Sequence, residues 1–191
     1  MNLLIHHAHM LAVTFAIATA LSVTACDNET ARAEQRSPAQ PKAESVASSS
    51  PTQSADREKL AALDSYERIR ASLAKDAISA TTADAAALER SARAVAKADS
   101  ARAEGWTSLA DATKELHAMS KNDADAVRMS FGEVSKYMVS VLSHDAETAK
   151  DLHVFECPMA QGYKKWVQPA ETVSNPYMGT RMPECGSKSS F

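Results

Sequence analysis

"VRMSFGEVSKYMVSV", residues 127–141, carries the clearest periodic stripe in the chain. Val127, Phe131, Val134, Met138 and Val141 recur at steps that alternate four and three. That spacing gathers all five on one face of an α-helix and leaves Arg128, Glu133 and Lys136 on the other faces. It is the seam expected of a helix packed in a bundle. Asn122-Asp123, just before it, reads as the N-cap.

The same reading extends toward the N-terminus. Leu60, Leu63, Tyr66, Ile69 and Leu73 predict a first helix, which starts at Arg57. A second is expected from Thr81-Thr82, whose hydroxyls would cap it, with Leu88, Ala92, Val95 and Ala98 as its stripe and an end before Gly105. A third begins at Trp106 and carries Leu109, Ala112, Leu116 and Met119. The expected fold class is all-α: an up-down-up-down four-helix bundle over residues 57–150, with residues 151–191 as an irregular Cys/Met-rich segment packed on it. Much of the apolar content is alanine, so the core must be thin. Beyond Lys150 the helical period stops, and three of five glycines and four of seven prolines follow. Loop and short strand are expected there, held to the bundle by Phe155, Tyr163, Trp166 and Tyr177.

Residues 1–25 read as a targeting segment. Met10 to Ala25 is apolar and uncharged, short for a membrane span, and ends in small residues before a cysteine. Val23-Thr24-Ala25-Cys26 resembles a bacterial lipobox. The resemblance implies cleavage before Cys26, lipidation of that residue, and a periplasmic protein anchored through lipid to the inner or outer membrane. His6, His7 and His9 stand where Lys or Arg usually would. Residues 26–56 are rich in Ser, Pro, Ala, Gln and charge, with no aromatics. They are expected to form a disordered tether, because they have little apolar surface to offset the entropy of ordering. A net charge of −3 gives no footprint for nucleic acid.

With Cys26 assigned to lipid, the other two of three cysteines form a pair, Cys157 and Cys185. The stretch 153–186 also holds three of the eight methionines. Thiolates and thioethers are soft donors that select Cu(I) or Ag(I) over hard cations. Cys157, Met159, Met182 and Cys185 are the candidate metal ligands, with Met178 and His153 as further candidates. The same cysteines read as a disulfide closing a loop of about thirty residues, worth roughly 3.5 kcal/mol by chain-entropy reasoning. The methionines would then fill gaps beside aromatic rings. Spacing leaves both open. His117 and His144, expected near one face, are secondary candidates. No nucleophile–base–orienter arrangement is evident, so an enzyme is not expected.

"CPMA" at 157–160, Trp166 and "NPYMGTRMPECG" at 175–186 together resemble the domain of unknown function 3347 family. "YERIRASLAKD" at 66–76 is similar to its first helix. The resemblance implies a helical exported domain and a role in periplasmic handling of copper or a related metal. Members of that family also occur fused to periplasmic adaptors of Cus-type copper/silver efflux systems. An efflux adaptor or another copper-handling protein is therefore the implied partner. The alternative function is a disulfide-stapled helical interaction module of an envelope assembly, with no metal role.

Overall fold

The computed structural model describes residues 50–191. The signal segment, Cys26 and the tether through residue 49 lie outside the described residues. The first helix, α1 (Pro51–Ala74), starts six residues earlier than the stripe predicts, so residues 51–56 are helix and not tether. Ser50 caps it by accepting from the Gln53 amide, and Pro51 sits in the first turn, where no N–H is needed. A 3-10 turn (Ile78–Ala80) leads into α2 (Thr81–Ala98). Thr81 does not cap: its hydroxyl donates back to the Ile78 carbonyl. Then follow α3 (Ala103–Ala118), α4 (Ala124–Ser143) and the single turn α5 (Ala146–Ala149). Asp123 caps α4 through the Ala126 amide.

The α4 stripe is buried in full. The α1 stripe holds at Tyr66, Ile69 and Leu73, with Leu63 half-buried against the core, and fails at Leu60. Ala62, Tyr66, Ile69 and Leu73 form its buried seam, and Leu60 is 63% exposed. On α2, Ala85 is buried and Ala98 is exposed. Alanines carry seam positions here because they let helices approach closely. Gly105 does the same inside α3: a Cβ there would meet Val141 Cγ1 of α4 at 3.0 Å.

Consecutive long helices pack side by side. Lys59, near the start of α1, pairs with Asp145 at 2.8 Å and lies 3.9 Å from Asp99. Asp99 follows α2 and Asp145 follows α4, so the C-terminal ends of both helices meet the N-terminal end of α1. At the other end Arg128, on the first turns of α4, pairs with Asp76, just past α1. No helix among the described residues is long and apolar enough to cross a membrane.

The all-α expectation fails in the tail. Strands β1 (His153–Glu156), β2 (Lys165–Gln168) and β3 (Ser187–Ser189) form an antiparallel sheet in the order β2-β1-β3. Strands this short offer no periodicity to read. Strand β2 lies against α4. Five aromatic rings run from helices to sheet: Tyr66–Phe131, Phe131–Tyr177, Tyr177–Trp166 and Trp166–Phe155, with centroids 5.4 to 5.9 Å apart.

A buried polar chain follows the same path. The Val167 amide donates to Tyr66 Oη, Ser135 Oγ lies 2.6 Å from Tyr66 Oη, and Ser135 donates to the Lys165 carbonyl. Since the Ser135 proton goes to the carbonyl, Tyr66 must donate to Ser135. Tyr177 donates to the same carbonyl at 2.6 Å. Burial pushes the Tyr66 phenol far above its ordinary pKa, so it remains a donor at any working pH. Tyr66→Phe leaves the Val167 amide unsatisfied and removes the Ser135 contact. We expect a loss of about 1–3 kcal/mol, read as a lower urea midpoint with an unchanged slope.

Candidate metal centre

Register brings the cysteines together. Glu156 of β1 faces Ser187 of β3 in an antiparallel ladder. One step further along β1 is Cys157, and the position opposite it is Gly186, so Cys185 lies one residue past that partner, just beyond the end of the pairing. Their Sγ atoms lie 2.7 Å apart; both are free thiols, Cys157 fully buried and Cys185 half-buried.

Each cysteine is fixed by its own turn. The Cys157 amide donates to the Lys164 carbonyl, continuing the β1–β2 ladder, and the Cys157 carbonyl accepts from Ala160. Pro158 and Met159 are the corner of that turn. The Cys185 amide donates to Met182, while its carbonyl accepts from Asn175 Nδ2 at 2.5 Å. Asn175 is a hub. Its side-chain oxygen accepts from the Tyr177 and Met178 amides, and its own amide donates to Pro183. This is an Asx turn opened by Asn-Pro, with the same side chain reaching across to the second cysteine.

Three further groups hold the tail and were not picked out from the sequence. Gln168, buried, accepts from Trp166 Nε1 at 2.9 Å and donates to the Ala170 and Thr172 carbonyls. Arg70 donates to the Ser174 carbonyl at 2.6 Å. Asp76 stands at φ 58° after α1, a left-handed conformation that Asp tolerates better than most residues. From there its carboxylate accepts from the Thr180 hydroxyl and amide and from Arg128. Gly179, also left-handed at φ 57°, has no space for a Cβ, because Asp76 Oδ1 occupies it. A buried Gln or Arg leaves no periodic signal. The Asn-Pro and Gly punctuation is the only sequence cue.

The remaining candidate ligands do not converge on the thiols. His153 is at the far end of β1, about 13 Å from Cys157 along the strand, and faces Glu171 at 3.9 Å. Met182 is 41% exposed. The Met159 side chain lines a neighbouring cleft with Met178 and Met129. His144 lies beside the first turn of α3, whereas His117 is in its last turn. The helix length between them is about 20 Å, so they do not share a face. Among the described residues no three His, Cys, Asp or Glu side chains gather into a metal site. No family model, curated protein or solved structure matches the chain.

The hydrogen bond with Cys157, then burial, pushes the Cys185 thiol above its ordinary pKa, against the opposing Met159 amide. In the reduced protein, alkylation of Cys185 by iodoacetamide should therefore keep accelerating beyond pH 9, without levelling off near 8.5 as a free cysteine does. Cys157 should react only on unfolding.

The Thr180 hydroxyl, with the Thr180 amide and Arg128, outweighs burial and holds the Asp76 carboxyl below the usual range. A depressed carboxylate stabilises the fold above its unfolded pKa of about 4, and that contribution disappears as pH falls through the folded value. Asp76→Asn should lower the urea midpoint at pH 7, and the gap from wild type should close toward pH 3.

Proposed function

We propose that the chain is a soft-metal protein whose reduced Cys157–Cys185 pair holds Cu(I) or Ag(I), in copper buffering, delivery or resistance. The supporting observation is the convergence of two sulfurs from positions 28 residues apart, fixed by a strand register and by Asn175. Two thiolates are a strong soft-donor set, and binding displaces their protons. Because the Cys185 thiol is raised, displacing its proton costs more near neutral pH and becomes easier as pH rises.

Two thiolates that share one ion would stand farther apart than the 2.7 Å between these sulfurs, so the pair would have to open to take one. The Met182–Cys185 turn, at the exposed side, is the part free to give, since Cys157 is tied into the β1–β2 ladder. The four long helices read as an up-down-up-down bundle that serves as the scaffold. The lipobox-like end at Cys26 and the polar segment after it favour a periplasmic domain on a lipid anchor. The likeness of the tail to the domain of unknown function 3347 family favours an efflux adaptor or another copper-handling protein as partner.

One observation favours a second reading, a disulfide-stapled interaction module: sulfurs 2.7 Å apart are nearer to bonding than to bridging an ion. One experiment separates the two. The reduced mature protein is titrated with Cu(I) against a chromophoric chelator. Binding of one equivalent at the thiols, at least tenfold (about 1.4 kcal/mol) tighter than by Cys185→Ser and tightening from pH 6 to 8, is expected. Equal affinity in the variant overturns the thiol site. Protein captured from the cell envelope with no labelled thiol, whatever the copper supply, supports the stapled module instead.

A further inference from the structure

We infer that the cleft beside the cysteine pair is a separate soft-cation site, built from the thioethers of Met129, Met159 and Met178 and selective for Cu(I) or Ag(I). The three side chains come from three segments: α4, the Cys157–Ala160 turn, and the residue before Gly179. They line one cleft of about 210 Å³, and neither cysteine is among its lining residues.

Packing accounts for Met178, which lies half-buried against the core, but not for Met129 and Met159. A methionine that fills a core gap is buried, as Met138 is. Met129 is 48% exposed and Met159 61% exposed, so neither is spent on filling the core, and both line the cleft. Thioethers are neutral, soft and never protonated near neutral pH. A set of three therefore favours a monovalent soft cation over a hard divalent one. The two cations in the lining do not oppose this. Arg128 is committed to Asp76, and Arg181 lies 3.9 Å from Asp125.

The two sulfur sites answer differently to their surroundings. Oxidation closes the thiol pair and leaves the thioethers available. Binding at thiols releases protons, whereas binding at thioethers releases none. The thioether site thus stands whether or not the cysteine reading does.

Ag(I) suits the test, because it needs no reductant that would reopen a disulfide. Mature protein carrying 13C-methyl methionine and Cys26→Ser is titrated with Ag(I) in two forms: with the Cys157–Cys185 pair oxidised and no titratable thiol, and with Cys157→Ser/Cys185→Ser added. The expected result is one bound equivalent in both, with the Met129, Met159 and Met178 methyl signals shifting together. Met138, Met119 and Met182 should stay in place. Met129→Leu and Met159→Leu conserve volume at exposed positions, so the fold should be kept, and each should weaken binding at least tenfold. Affinity should be flat between pH 6 and 8. Absence of binding in these thiol-free forms overturns the site, and so does shifting of Met182 or Met119 in place of the three. Should the form with Cys157→Ser/Cys185→Ser fail to fold, the oxidised form alone decides. Loss of thiol-dependent Cu(I) binding with this result intact sinks only the cysteine reading, and the reverse pattern sinks only this one.

Discussion

The Lys165 carbonyl is where the tail is fastened to the helices. It accepts from Ser135 of α4 and from Tyr177 of the tail, and Ser135 is in turn held by Tyr66 of α1. One carbonyl on a short strand thus joins two helices, the sheet and the loop that leads to Cys185. In a low-dielectric interior such a chain is strong when complete and costly when broken. No buried side-chain polar atom among the described residues lacks a partner, so the network is complete. The column of five rings runs beside it and supplies the apolar contact that an alanine-rich core otherwise lacks.

The tail achieves order in an unusual way for so little regular structure. From Pro169 to Gly186 its backbone is satisfied mainly by side chains: Gln168 serves residues 170–174, Asn175 serves 177, 178 and 185, and Asp76 serves Thr180. Arg70 and Arg128 reach from the helices to the Ser174 and Pro176 carbonyls on either side of Asn175. Each of these groups would be expensive to bury without a partner, and each therefore specifies one loop conformation. The result is a defined seat for two sulfurs on a segment whose only helix is the 3-10 turn Gly179–Arg181.

Much of this was legible in the residues, and the reasons it stopped are physical. The α4 stripe is right at all five positions because its side chains are large and its period is long. The α1 stripe went wrong at Leu60 because alanine also serves as core when helices approach closely, and Ala62 competes for the same face. Short strand was expected in the tail, but its place and pairing were not, because three- and four-residue strands are made by pairing, not by pattern. Convergence of Cys157 and Cys185 followed from counting cysteines. The partition of the methionines did not: residues two apart in a turn point different ways, so Met159 sends its side chain to another cleft. Met129 lies off the α4 stripe and was not singled out, because only the fold reveals its neighbours.

The seat also depends on register more than on any single contact at the sulfurs. Sliding β3 by one residue along β1 would turn its side chains to the opposite face and change the one-residue offset between Cys185 and Cys157. Three residues of pairing are too few to resist that alone. What resists it lies outside the ladder: Asn175 grips the Cys185 carbonyl, and Gly186 is packed so tightly that a Cβ would come within 2.8 Å of the Trp166 ring. Trp166 is itself held by Gln168 and stacked on Phe155 of β1. The glycine after the second cysteine and the tryptophan between the two cysteines thus act as one lock on strand position. Substituting either would shift both sulfurs without touching them.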